Sequence, residues 1–208
     1  PRRLAKAYKT LPLKDIHHLL QGIYNEERFL GLLLLIQRFD KANEEDRRHL
    51  YAFYVDNRRY INNWNLVDVS AHLIVGRYLF HPPSTPVQAM ETLRSFAHAP
   101  DLWTKRIGVV ATLFFIRQGV FDPTLTLAEI LINDRHDLIH KAVGWMLREV
   151  GKRDETTLRR FLNDHGPAMP RTMLRYAIER FPAPERQFYL SRPAPFHNPG
   201  HHRHQPGI

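Results

Sequence analysis

The chain has 208 residues, 43% of them hydrophobic and 25% charged, which is enough for one domain or one continuous repeat stack with a sizeable core. It contains no cysteine, which excludes a disulfide framework and a thiolate metal site, and its longest strongly apolar run, Phe29 to Ile36, is far short of the roughly 20 residues that span a bilayer. Thirty Lys and Arg against 21 Asp and Glu give a formal charge of +9, an excess that favours a polyanionic partner, nucleic acid before an anionic membrane surface.

Along the chain, apolar residues recur at threes and fours, as at Leu30, Leu33, Leu34 and Phe39, then at Val109, Leu113 and Ile116. That spacing predicts helices almost throughout. Alternating runs bounded by Asn-Gly or Asp-Gly, the signature of hairpins, are missing. Breakers fall at Pro12, Pro82-Pro83, Pro86, Pro100, Pro123, Pro167, Pro170 and Pro182. Helices with a polar or basic opening and a small, apolar stripe are expected in EERFLGLLLLIQRF (26–39), WTKRIGVVATLFFIRQG (103–119), LIHKAVGWMLREVGKRD (138–154) and RTMLRYAIERF (171–181). Partner helices are expected at Glu44–Arg59, Val87–His98, Thr124–Ile132 and Glu155–His165. Arg28, Asp68, Arg106, Ala142 and Arg175 fall at matching places, 40, 38, 36 and 33 residues apart. Helix pairs at that period predict an all-α chain, an α-solenoid of about five HEAT-like pairs with a concave basic groove. The repeat domain is expected over 1–192. Residues 193–208, rich in proline, glycine and histidine, are expected to be a disordered tail, because they offer too little apolar area to offset ordering.

Stacked equivalent helices bring equivalent positions to one face. Trp64 and Trp103 are 39 residues apart, as are Arg106 and Trp145, so residues distant in sequence are expected along one strip. Asn62-Asn63-Trp64-Asn65-Leu66-Val67-Asp68 places an indole and a carboxylate four residues apart, one turn apart on a helix. A carboxylate beside an indole suits a reaction that develops positive charge on a sugar. Asp68 is therefore the candidate catalytic residue. The alternative is an ordinary surface or capping carboxylate in an ion pair, and for Trp64, Trp103 and Trp145 the alternative is core packing. Arg106 in a groove would bind phosphate through its two-pronged guanidinium. Arg148 has a second option, pairing with Asp68 or Glu149.

Other chemistries lack their motifs. There is no glycine-rich phosphate loop, no Gly-x-Ser-x-Gly elbow and no His-Glu-x-x-His helix. His136 and His140 are four apart, yet no third metal ligand is evident, and His201, His202 and His204 sit in the tail.

NNWNLVD (62–68), WTKR (103–106), HDLIHKAVGWMLREVGKRD (136–154) and MPRTMLRYAIERF (169–181) together resemble the DNA alkylation repair family, the HEAT-like alkylpurine DNA glycosylases of the AlkD type, over roughly residues 10–192. The third segment is the most specific. The family's Trp-x-x-x-Asp pair falls on Trp64 and Asp68, its later helix-opening arginine on Arg106, and the tryptophan of its Lys-Ala-x-Gly-Trp segment on Trp145. The resemblance implies that Asp68 is the catalytic carboxylate. It implies that Trp64 and Trp145 pack against the lesion-bearing backbone, that Arg106 holds DNA, and that the lesion is approached while still stacked.

The substrate implied is a purine alkylated at N3 or N7 in duplex DNA, already cationic and a good leaving group. No cofactor or metal is required by that scheme, and a monomer in the cytoplasm, at the nucleoid if the source is bacterial, is expected. Lys105, Arg106, Lys141, Arg148, Lys152, Arg171 and Arg175 are candidates for the DNA-facing strip. Two other functions compete: a non-catalytic solenoid that binds bent or branched DNA, and a protein-interaction scaffold. The carboxylate at position 68 argues against the first and the net charge against the second.

Overall fold

A computed structural model describes residues 1–192 of the chain. The described residues are helical, with no strand among them. The expectation of disorder in 193–208, and the histidines there, lie outside the described residues.

Five helices form a continuous row: α3 (Asn25–Lys41), α5 (Trp64–Ala71), α8 (Leu102–Arg117), α10 (Asp137–Gly151) and α12 (Arg171–Ala177), each touching the next. In chain order they alternate with α2 (Leu13–Gln21), α4 (Glu44–Asp56), α7 (Pro86–Ala97), α9 (Asp122–Leu131) and α11 (Glu155–His165). Helices α1 (Arg2–Ala7) and α13 (Ala183–Ser191) flank the stack. This is the α-solenoid expected from the repeat period. Helix starts follow the polar residues that precede them: Asn43, Thr85, Asp101 and Asp154 each accept a backbone N–H of the first turn. Such caps satisfy donors that would otherwise be open, each contributing about 1 kcal/mol.

One hydrophobic cluster runs through the stack. Its centre is α8, buried on nearly every side from Thr104 to Ile116, as an all-round apolar helix must be. On α5, Leu66, Val67 and Ala71 are completely buried. Ser70 on the same face is buried with them, its hydroxyl donating to the Leu66 carbonyl at 2.6 Å. Tyr54 of α4 then donates to Ser70 at 2.9 Å, which leaves no polar atom of this pair without a partner.

One helix of the row is interrupted, and an expected boundary differs. The helix from Trp64 does not continue as a plain α-helix: a π-helical turn, His72–Gly76, separates α5 from α6 (Arg77–Phe80). Gly76 explains why that turn can lie on α8, since a Cβ there would sit 2.1 Å from the Ala111 carbonyl oxygen. The close approach fixes α5 against α8 and so sets the distance between their side chains. The RTMLRYAIERF segment is helical only to Ala177, after which the chain turns before Pro182.

Candidate active site

Four helices of the row contribute to one cavity of about 450 Å³, lined by Trp64 and Asp68 of α5, Arg106 of α8, Leu138, Lys141, Trp145 and Arg148 of α10, and Tyr176 of α12. Positions spread over more than a hundred residues of chain therefore meet at one place, because neighbouring helices of the row each present a face to the same side of the stack.

At the centre is a bidentate ion pair. Arg106 donates from Nε to Asp68 Oδ1 at 3.0 Å and from Nη2 to Oδ2 at 2.9 Å. Its Nη1 donates to the Leu138 carbonyl at 2.5 Å. One guanidinium thus joins α5, α8 and α10. Arg106 is only 4% exposed, so its charge depends on these partners rather than on water. This departs from the expectation that Arg106 offers its fork to phosphate: both prongs are engaged by Asp68. The carboxylate keeps 19% of its side-chain surface open toward the cavity. Burial pushes the Asp68 carboxyl above its usual range, and the hydrogen bonds and charge of Arg106 act in the opposite sense. One turn further on, His72 lies buried in the π-helical turn. Desolvation first, then the charge of Arg117, lowers its imidazole to about 4, so it is neutral at pH 7.

The tryptophans differ in role. Trp64 is 55% exposed beside Asp68, against the packing reading. Trp145 is half-buried, with its ring on both the core and the cavity. Trp103 packs on the core and does not line the cavity, so the repeat equivalence with Trp64 does not extend to the site.

The basic residues also separate. Lys141 and Arg148 line the cavity with Arg106. Lys141 pairs with Asp137 at 2.7 Å; Arg148 pairs with Glu179 and lies near Glu149, not Asp68. Lys152 pairs with Glu149 and lines an adjoining hollow that shares Arg148. Lys105 is instead tied to Asp134 at 2.6 Å, Arg171 donates to the Leu190 carbonyl, and Arg175 lines a different hollow with Arg186. No cluster of three or more His, Asp or Glu placed to hold a metal occurs among the described residues. His140 bonds the Asp134 carbonyl oxygen rather than joining His136.

Sequence reading missed Tyr176. It lies within a segment that carried the family resemblance, yet nothing local distinguishes it from a core-facing tyrosine. Only the packing of α12 on α10 puts it at the cavity.

The DNA alkylation repair enzyme family matches residues 1–181, and the chain is a member of it. Among solved structures, a predicted DNA alkylation repair enzyme from Enterococcus faecalis shares the fold, with a TM-score of 0.63 and 15% identity over 88% of this chain and 83% of that one. Comparison with curated proteins gives no match.

Proposed function

We propose that the protein is a DNA glycosylase that hydrolyses the N-glycosidic bond of N3- and N7-alkylated purines in duplex DNA. The observation that carries this reading is the placement of Asp68: a carboxylate, part-buried and held in one orientation by a two-pronged arginine, opening into a cavity with aromatic walls.

A cationic alkylpurine leaves without protonation, so the reaction needs no general acid. As the bond breaks, positive charge moves onto the sugar. A fixed anion in a partly dry site stabilises that charge more than water does, because no solvent has to reorganise. Asp68 supplies the anion and orients the attacking water with whichever lone pairs Arg106 leaves free. Arg106 acts by holding Asp68. Trp64 and Trp145 exclude bulk water and meet the cationic nucleoside with their ring faces, each contact worth about 1 kcal/mol. The exposed position of Trp64 and the breadth of the cavity suit a lesion approached through its backbone rather than flipped into a deep pocket. Lys141, Arg148 and Lys152 supply cations beside the cavity for phosphates.

No helix among the described residues is long and apolar enough to cross a membrane. A second reading, a non-catalytic binder of bent or branched DNA, is favoured by one observation: Arg106 already neutralises Asp68, as a purely structural ion pair would. Mass analysis of purines released from alkylated duplex DNA separates the two. Release by wild type that falls by orders of magnitude in Asp68→Asn establishes the glycosylase. Duplex binding without release by either protein leaves the binder.

A further inference from the structure

Tyr176 lines the cavity beside Lys141, and the scheme above gives its hydroxyl no task. The placement of Tyr176 has a steric origin. Gly144 of α10 has no Cβ, and one built there would lie 2.4 Å from the Met173 carbonyl oxygen and 2.5 Å from the Tyr176 Cβ. Glycine at 144 therefore lets α12 close onto α10, which carries the Tyr176 ring to the edge of the cavity, where it stays 36% exposed.

Lys141 is on the first turns of α10 and lines the cavity together with Tyr176. Asp137 pairs with Lys141 at 2.7 Å and takes one of its three donors. Among the three cations that line the cavity, Lys141 is the most open, with 40% of its side chain exposed against 19% for Arg148 and 5% for Arg106. The other two are held by Glu179 and by Asp68. A polyanionic ligand entering here meets an ammonium with donors to spare beside a phenolic hydroxyl, the two group types that commonly bond phosphate oxygens.

We propose that Tyr176 and Lys141 together bind one phosphate flanking the alkylated nucleotide, and so hold its sugar against Asp68. The proposal rests on the glycosylase reading and adds to it a substrate-positioning subsite.

The test uses a duplex with a single 7-methylguanine, with methylphosphonate placed in turn at each neighbouring phosphate. Tyr176→Phe keeps the ring on Gly144 and removes only the hydroxyl; unfolding curves matching wild type establish that the fold is intact. Tyr176→Phe and Lys141→Ala are each expected to lower kcat/KM about tenfold, the size of one lost hydrogen bond to a charged group. The double variant should lose less than the product of the two, since both act on one phosphate. One methylphosphonate should slow wild type by at least about tenfold and slow Tyr176→Phe less, because only the Lys141 contact is left to lose. A Tyr176→Phe variant as active as wild type, or a methylphosphonate penalty equal in the two proteins, overturns the proposal. If wild type releases no purine, the glycosylase reading fails, and the subsite is then judged by affinity for undamaged duplex: weakening in both single variants supports it and unchanged affinity refutes it.

Discussion

Replacing Arg106 by methionine keeps most of the side-chain volume and removes three hydrogen bonds, two of them to a carboxylate. What remains is Asp68, part-buried beside no other cation that the structure pairs with it. Breaking a buried ion pair from one side costs about 3–5 kcal/mol, because the surviving charge is left desolvated. The 19% exposure of Asp68 lets water reach it, which places the expected loss at the lower end, about 3 kcal/mol. For a domain of this size each kcal/mol moves the midpoint by about 2–4 °C, so Tm should fall by about 6–12 °C. Adding Asp68→Asn to Arg106→Met removes the stranded charge and should return at least about 1.5 kcal/mol, a coupling that calorimetry on the four proteins measures directly. Losses that simply add, or a Tm for Arg106→Met within about 2 °C of wild type, would refute the view that this pair is held in a dry environment. The same variant carries a pH signature. Burial raises the Asp68 carboxyl and Arg106 opposes it, so without Arg106 the carboxyl climbs further. Any residual activity of Arg106→Met should therefore lose its acid limb at higher pH than wild type does.

Trp64 is 55% exposed, so Trp64→Ala should change stability by less than about 1 kcal/mol yet reduce purine release at least about tenfold; parallel changes in both would mark it as a packing residue. His72 is buried neutral, with its pKa lowered to about 4 from an unfolded value near 6.5. Its contribution is present above the unfolded value and lost as pH falls through the folded one, a displacement worth about 3 kcal/mol. Melting curves between about pH 6.5 and 4 should thus fall more steeply for wild type than for His72→Gln, and equal slopes would contradict the burial argument. If Lys141, Arg148 and Lys152 meet phosphates, log affinity for duplex DNA should fall with log salt at a slope of about −3, roughly 60-fold between 50 and 200 mM; a slope near zero would point away from backbone contact.

The all-helical repeat was legible in the sequence because its signals are local and periodic. Apolar spacing marks each helix, the proline breakers mark the gaps, and the recurrence of equivalent positions every 33 to 40 residues marks the stack. The pairing of Trp64 with Asp68 needed only the pitch of one helix. Which cation would face that carboxylate could not be read the same way. Arg148 was the cation the sequence offered as a partner for Asp68, and the choice of Arg106 instead depends on how closely the helices around α5 and α8 approach, which Gly76 permits by having no side chain at the contact. Burial then turned a residue expected at phosphate into the partner of Asp68. The π-helical turn after α5 and the arrival of Tyr176 beside Lys141 are likewise products of helix-to-helix contact. The sequence determined which groups are available and on which helix face they lie; only tertiary packing decided which of them are desolvated, and therefore which charges must pair with each other and which stay open to a ligand.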